Sequence, residues 1–144
     1  MTLDVSQYRL HGLQVFVVED ELLVSMLLED MLAEFGCVIT GVASSVEQAL
    51  SMAKTTEVID AAVLDVNIGG QMIFPVADLL LERDVPCIFS TGYETAELSQ
   101  RYPVCRTLSK PYAPEALARV LASLASGAPG DEPFDARASW NRPH

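Results

Sequence analysis

The chain contains 144 residues, of which 50% are apolar and 20% are charged, and this balance fits one globular domain and excludes a disordered chain. Its net charge of −11, from 20 acidic and 9 basic residues, argues against nucleic-acid binding, because phosphate backbones are bound by clustered Lys and Arg. The apolar runs are shorter than the ~20 residues that a membrane-spanning helix needs, so we expect no membrane contact.

Short apolar runs alternate along the chain with longer segments of helical spacing. The runs predict five strands, at 13–18, 38–43, 61–66, 86–91 and 104–109. The other segments predict helices at 21–35, 45–54, 74–83, 94–100 and 114–125. Ser45 is placed to cap the second helix with Gln48 three residues later, and Pro75 fits the first turn of the third helix. A polar loop that contains glycine is expected at 67–71.

Five consecutive strand–helix units indicate a parallel sheet covered by helices on both faces, because parallel strands are joined by crossover connections. We therefore expect an α/β domain of the flavodoxin-like, doubly wound (βα)5 type, with the parallel strand order 2-1-3-4-5. In such sheets ligands bind beyond the carboxyl ends of the strands, next to the point at which the strand order reverses. Functional side chains are expected at that edge.

The same pattern predicts the boundaries of the domain. Residues 1–12 are expected to form an N-terminal extension, 13–125 the folded domain and 126–144 a flexible C-terminal tail with several Pro and Gly. The first 12 residues lack the basic and apolar regions of a signal peptide. The three cysteines form no Cys-x-x-Cys pair, so we expect reduced thiols in a cytoplasmic protein.

Four of the predicted strands end in residues that can carry chemistry. These residues are Glu19, Asp20 and Glu21 after the first strand, Asp65 at the third, Thr91 at the fourth and Lys110 at the fifth. Converging carboxylates are costly unless a cation neutralises them, and hard oxygen ligands without His or Cys suit Mg²⁺. A Lys and a Thr at the same edge can bind phosphoryl oxygens. The sequence therefore predicts a magnesium-dependent phosphoryl-transfer site.

These strand ends resemble those of the receiver domain of bacterial two-component response regulators, over about residues 14–124. The shared motifs are Glu19-Asp20 in VFVVEDE, Asp65 in AVLDVNIGG, Thr91 in IFSTGY and Lys110-Pro111 in LSKPY. The resemblance implies that 13–125 is a receiver domain, and that the protein is a single-domain response regulator without an output domain. It also implies a phosphoacceptor signalling domain rather than an enzyme.

The resemblance assigns a role to each of these residues. It implies that Asp20, Asp65 and the main-chain carbonyl of Asn67 bind Mg²⁺, and that Glu19 acts through water. It implies that Asp65 accepts the phosphoryl group from a phosphohistidine, on a histidine kinase or on a histidine phosphotransfer protein. Lys110 then pairs with one phosphoryl oxygen and Thr91 hydrogen-bonds another. The Lys110-Pro111 peptide is commonly cis in such domains.

The conformational switch is expected to differ from the pattern of many receivers. Thr107 occupies the position, three before the Lys, at which many receivers carry an aromatic switch residue. The strand end Phe89-Ser90-Thr91-Gly92-Tyr93 is instead similar to a subgroup of stand-alone receivers with a Phe-Ala-Thr-Gly-Tyr strand end. Thr91 and Tyr93 are therefore predicted to be the switch residues, with packing of Tyr93 at the loop edge as the alternative.

Partners and other functions are less constrained by the sequence. The first helix is apolar around much of its circumference, so it is either deeply packed or a docking face for helices of a histidine kinase. Whether the domain forms a homodimer is left open.

Two alternatives to the phosphoacceptor are an adaptor that works without phosphorylation and an aspartyl-nucleophile phosphohydrolase. Asn67 argues against the hydrolase, because such enzymes usually carry a second Asp at that position.

Overall fold

The computed structural model describes residues 8–92 and 96–126. In chain order the strands of this part are β1 (Gln14–Val18), β2 (Val38–Ala43), β3 (Ala61–Asp65), β4 (Asn67–Ile68), β5 (Gln71–Met72), β6 (Cys87–Thr91) and β7 (Arg106–Ser109). The helices are α1 (Leu22–Glu34), α2 (Val46–Thr55), α3 (Phe74–Glu82), α4 (Ala96–Arg101) and α5 (Pro114–Ser126).

The main sheet has five parallel strands in the order β2-β1-β3-β6-β7. Because β6 and β7 are the fourth and fifth strands of this sheet along the chain, the predicted flavodoxin-like order 2-1-3-4-5 is confirmed. The strand order reverses between β1 and β3, and the residues that follow these strands therefore lie beside the crevice in which such folds bind ligands.

Apolar side chains fill both faces of the sheet. One cluster includes Phe16, Leu64 and Phe89, and the other includes Val17, Val63 and Ile88, so neighbouring positions along each strand alternate between the two faces. The three central strands β1, β3 and β6 are buried on both sides, which explains why they are mostly apolar in sequence.

Part of the predicted N-terminal extension packs on the domain. Tyr8 and Leu10 are 3% and 2% exposed and join the core cluster that contains Leu13. The main-chain N–H of Gly12 donates to the carbonyl of Gly36 at 2.7 Å, which ties this segment to the end of α1.

Local signals mark the helix ends as expected. The side chain of Ser45 accepts a hydrogen bond from the main-chain N–H of Gln48 at 3.1 Å, which satisfies a free donor of the first turn of α2. Pro75 lies in the first turn of α3, where its missing N–H costs no helical hydrogen bond.

The structure corrects two local expectations. Residues 67–71 do not form a simple loop, because β4 and β5 pair as a short antiparallel hairpin around Gly69 and Gly70. Both glycines have positive φ, of 57° and 85°, and this is the backbone that a tight two-residue hairpin requires. The last strand begins at Arg106 and not at 104, because the main-chain N–H of Cys105 donates to the carbonyl of Tyr102 in a turn.

Some predicted features lie outside the described residues. They are residues 1–7 of the predicted N-terminal extension, Tyr93, the first two residues of the predicted fourth helix and the tail beyond Ser126. Within 8–92 and 96–126, none of the helices has the length and apolar character needed to cross a bilayer.

Candidate functional site

The carboxyl ends of four neighbouring strands bring the predicted site residues to one edge of the sheet. Glu19 and Asp20 follow β1 directly, and Asp65 is the last residue of β3, which pairs with β1. Thr91 ends β6 opposite Ser109 of β7. Parallel pairing therefore gathers at this edge residues that are far apart in sequence.

Lys110 connects two of the carboxylates. Its Nζ donates to Glu19 Oε1 and to Asp65 Oδ2, at 3.1 Å in each case. Its main-chain N–H donates to the carbonyl of Thr91 at 2.8 Å, which fixes the start of the Lys side chain beside β6. The Lys110-Pro111 peptide is cis, as the receiver resemblance implied. A single ammonium group thus holds Glu19 and Asp65 together.

Burial and charge alter the acid–base behaviour of this pair. Glu19 is only 3% exposed, and burial, with the nearby charge of Asp65, raises the pKa of its carboxyl group above the usual value. Burial alone would lower the pKa of Lys110, but its hydrogen bonds to Asp65 and Glu19 outweigh that effect and raise it. Lys110 therefore keeps its positive charge at neutral pH.

The β4–β5 hairpin orients Asp20. The main-chain N–H of Gly69 donates to Asp20 Oδ2 at 2.8 Å, across 49 positions of sequence. The N–H of Gly70 donates to the side-chain oxygen of Asn67 at 3.0 Å, which stabilises the hairpin turn. The β4–β5 hairpin is thus held against Asp20. The sequence motif gave the positions of these residues but not this contact, because it depends on the hairpin geometry.

Acidic oxygens lie close together at this edge. In the described part of the chain, carboxylate oxygens of Glu19, Asp20 and Glu21 lie within 4.8 Å of one another. Glu19 Oε2 also accepts the main-chain N–H of Glu21 at 3.1 Å. Glu21 was not predicted as a ligand, although it is the third acid of the same motif. A set of hard oxygens without nitrogen or sulfur ligands fits Mg²⁺.

Asp65 joins this acidic group through Lys110. Its Oδ2 is bound by the ammonium group, and its Oδ1 accepts only a long contact of 3.4 Å from the N–H of Asn67. One oxygen of Asp65 is therefore held in position, while the other is weakly engaged.

Thr91, the last residue of β6, is 1% exposed. It forms part of the wall of a cavity of about 240 Å³, whose other lining residues are Val66, Met72, Phe74, Glu97, Leu98 and Arg101. Val66 follows β3, Met72 ends β5 and Phe74 begins α3, while the other three belong to α4. The cavity therefore lies between the end of β6 and α4.

An aromatic cluster, formed by Phe74, Phe89 and Tyr102, adjoins this cavity. The rings of Phe74 and Tyr102 stack with centroids 5.5 Å apart, and the ring of Phe89 meets Tyr102 edge-on at 5.2 Å. The guanidinium of Arg101 lies 4.2 Å from the centroid of Phe74. The hydroxyl of Tyr102 donates to Asp78 of α3 at 2.8 Å. Sequence reasoning missed this cluster, because its members come from separate elements and follow no common motif.

A parallel α/β domain with acidic residues after β1, an Asp at the end of β3 and a Lys after β7 defines a signalling domain of the receiver class. The sequence matches the response regulator receiver domain family over residues 15–122, and the chain belongs to this family. No curated protein matches the sequence.

Solved structures of receiver proteins share the fold. SdrG from Sphingomonas melonis Fr1 is 38% identical, and the match covers 78% of this chain and 96% of that one, with a TM-score of 0.69. A response regulator receiver protein from Sinorhizobium medicae WSM419 is 23% identical over 78% of this chain and 94% of that one, with a TM-score of 0.71. The response regulator PhyR from Brucella abortus is 21% identical, with a TM-score of 0.72, and the match covers 82% of this chain but 49% of PhyR.

Proposed function

We propose that this protein is a response regulator that accepts a phosphoryl group on Asp65 from a phosphohistidine, in a Mg²⁺-dependent reaction in the cytoplasm. The donor is a histidine kinase or a histidine phosphotransfer protein. The observation that carries the proposal is the position of Lys110, whose Nζ lies 3.1 Å from both Asp65 and Glu19. Lys110 therefore brings its ammonium group, the Asp65 carboxylate as nucleophile and the Glu19 carboxylate close together.

The chemistry of phosphoryl transfer fits these residues. Such transfer needs an aligned nucleophile and positive charge near the phosphoryl oxygens, and little covalent chemistry from the rest of the protein. Asp65 supplies the carboxylate that forms the new O–P bond, while the imidazole of the donor leaves. Lys110, whose charge is stabilised by two carboxylates, is placed to bind a phosphoryl oxygen.

The ligand set proposed for Mg²⁺ is Asp20, Asp65 and the main-chain carbonyl of Asn67, with Glu19 acting through water. Glu21, which belongs to the same acidic group, is added as a further outer contact. When bound, the ion neutralises negative charge on the phosphoryl oxygens. Gly69 holds Asp20 in place independently of any ion.

Labelling with a small phosphodonor tests the assignment of Asp65. The protein is incubated with acetyl phosphate and Mg²⁺, and intact mass is measured. The wild type should gain one phosphoryl group and Asp65→Asn should gain none. Asp84→Asn is the matched control, because Asp84 is exposed and its positive φ of 61° suits Asn. Labelling of Asp65→Asn at the wild-type rate would refute the assignment, and continuous turnover of acetyl phosphate without a labelled protein would favour a hydrolase.

The exposed face of α1 supports a docking role for this helix. It presents Leu22, Leu23, Met26 and Leu27, which are 73%, 75%, 51% and 60% exposed. The buried side of α1 is formed instead by Ser25, Leu28 and Leu32. The helix begins directly after the acidic group, so a donor helix that lies on this apolar face would bring its phosphohistidine towards Asp65. Burial of these side chains would stabilise such a complex.

Docking is tested by comparing two phosphodonors. Leu23→Ser should slow phosphotransfer from purified, pre-phosphorylated histidine kinases at least tenfold and leave labelling by acetyl phosphate unchanged. Val104→Ser is the matched control, because Val104 is 67% exposed and lies before β7. If the rate of phosphorylation fell equally with both phosphodonors, Leu23→Ser would be shown to damage the phosphorylation site itself. Unchanged transfer from every kinase would refute docking on α1.

The output proposed for phosphorylation is a change in partner binding, or onward transfer or drainage of the phosphoryl group. We assign the switch to Thr91, Tyr93 and the segment 92–102. The support for this assignment is the cavity between Thr91 and the α4 residues Leu98 and Arg101, into which the Thr91 side chain can move.

A further inference from the structure

Two cysteines face each other across neighbouring strands. Cys87 is the first residue of β6, and Cys105 directly precedes β7. Since Ile88 pairs with Arg106, the parallel register places the two cysteines opposite one another. Both side chains belong to the core cluster on the same face of the sheet, with exposed fractions of 0% and 8%.

This arrangement is compatible with a covalent link. Neighbouring strands lie about 4.8 Å apart, which is inside the range of about 4.4–6.8 Å found between the Cα atoms of disulfide-bonded cysteines. Cys105 directly precedes β7, and its main-chain N–H donates to the carbonyl of Tyr102 at 3.0 Å. Both thiols are free in this structure.

The contact between the two thiols also affects their protonation. An interaction with Cys105 and burial raise the pKa of Cys87 well above the usual value. The interaction with Cys87 lowers the pKa of Cys105, and the charge of Arg106 acts in the same direction. A more acidic thiol next to a second, neutral thiol is the arrangement in which oxidation ends in a disulfide.

We propose that Cys87 and Cys105 form a reversible intramolecular disulfide when the protein reacts with hydrogen peroxide. The Cys105 thiol releases its proton, and the thiolate attacks one peroxide oxygen. The O–O bond breaks, and the hydroxide that leaves takes up that proton as water, which gives a sulfenic acid on Cys105. The Cys87 thiol then forms the S–S bond and displaces the sulfenic oxygen as water. Two thiols are oxidised by two electrons and one peroxide is reduced to two waters. A small dithiol reverses the reaction by exchange.

The disulfide would change the behaviour of the switch segment. It joins the two ends of residues 88–104, which include Thr91 and α4. This consequence rests on the proposed function, in which the same segment responds to phosphorylation. We expect the oxidised protein to accept a phosphoryl group on Asp65 with a reduced response of α4.

Peptide mapping after oxidation tests the disulfide without any phosphodonor. The folded protein is treated with stoichiometric hydrogen peroxide, remaining thiols are alkylated and tryptic peptides are analysed by mass. Cleavage after Arg83, Arg101 and Arg106 places Cys87 and Cys105 in separate peptides, which only a disulfide joins. The expected product is a monomeric protein in which these peptides are linked and dithiothreitol restores both thiols.

Cys37 and two variants provide the controls. Cys37 is half-buried, and burial raises the pKa of its thiol to about 12, so it should stay reduced and be found alkylated once the protein is unfolded in the presence of the alkylating agent. Cys87→Ser should stop at a sulfenic acid on Cys105 that dimedone traps, whereas Cys105→Ser should leave Cys87 reduced. The proposal would be overturned by a disulfide that includes Cys37 or by a disulfide between two molecules. It would also be overturned if Cys105 of the wild type were oxidised only to sulfinic or sulfonic acid. Circular dichroism of the treated protein shows whether the reacting species is folded.

Discussion

The Nζ of Lys110 lies 3.1 Å from Asp65 Oδ2, although 45 positions of sequence separate the two residues. The same ammonium group contacts Glu19, so that one cation stabilises two poorly exposed carboxylates. This relationship has a consequence for folding as well as for phosphoryl transfer, because removing the cation leaves the carboxylates facing each other.

Lys110→Met is therefore expected to destabilise the metal-free protein by about 1–3 kcal/mol, since an uncompensated partly buried charge is costly. Mg²⁺ should restore much of this loss, because it supplies positive charge at the same place. Urea unfolding with and without Mg²⁺ measures both effects. Lys54→Met, on the exposed surface of α2, is the control and should change stability little. Equal stability of the two variants without Mg²⁺ would contradict this account of Lys110.

Asp20→Asn should weaken Mg²⁺ binding at least tenfold, because it removes a charged oxygen ligand from the proposed ion site. Asn can still accept the hydrogen bond from Gly69, so the hairpin should keep its position. Isothermal titration calorimetry measures the change in affinity. The control is Asp30→Asn, which changes the net charge by the same amount at an exposed position on α1. It should leave the affinity for Mg²⁺ almost unchanged. If both variants bind Mg²⁺ like the wild type, the ion site lies elsewhere.

Tyr102→Phe should lower the free energy of unfolding by about 1 kcal/mol at pH 7, because the hydrogen bond to Asp78 is lost. Burial, and then the contact with Asp78, raises the pKa of Tyr102 to about 12 from its ordinary value of 10.0. The unfolded chain therefore releases this proton at lower pH than the folded protein. The stabilisation is full below pH 10 and is lost as pH rises towards 12. Urea unfolding of both proteins at several pH values should show their difference shrinking above pH 10; a constant difference would be inconsistent with this role.

Amide exchange tests the proposed switch. In the unphosphorylated protein, residues 92–102 should exchange faster than β3, because α4 is short and is held mainly by the buried side chains of Leu98 and of Tyr102, the residue after its end. Beryllofluoride with Mg²⁺, as a phosphoryl mimic on Asp65, should change exchange in this segment. The Asp65→Asn variant should show no change. A segment as protected as β3 and unaffected by the mimic would rule out this switch, and a full response in Tyr93→Ala would leave Tyr93 a packing residue.

Regular elements were predictable where local signals agree with tertiary packing. The central strands β1, β3 and β6 are buried on both faces, and their apolar runs are therefore visible in sequence. Ser45 and Pro75 marked helix starts for chemical reasons that do not depend on the rest of the fold. The positions of Asp65 and Lys110 at strand ends followed from the strand pattern and from the family resemblance.

Features that depend on contacts between distant elements could not be predicted. The β4–β5 hairpin has two residues in each strand, too few for a periodic signal. The spacing of Leu23 and Leu27 predicted a helix correctly, but the sequence could not show that both side chains face outwards. The link between Tyr102 and Asp78 joins α3 to the end of α4, and only the packing of the two helices brings these residues together.

The hairpin contact from Gly69 also bears on which divalent ion the acidic group selects. The Gly69 N–H donates to Asp20 Oδ2 and Lys110 donates to Asp65 Oδ2, so one lone pair of each of these oxygens is already engaged. Both oxygens of Glu19 already accept hydrogen bonds. A carboxylate whose oxygens already accept hydrogen bonds has fewer lone pairs for the bidentate contacts that many Ca²⁺ sites use. We therefore expect the hairpin contact to favour Mg²⁺, which keeps several of its waters, over Ca²⁺ at this edge of the sheet.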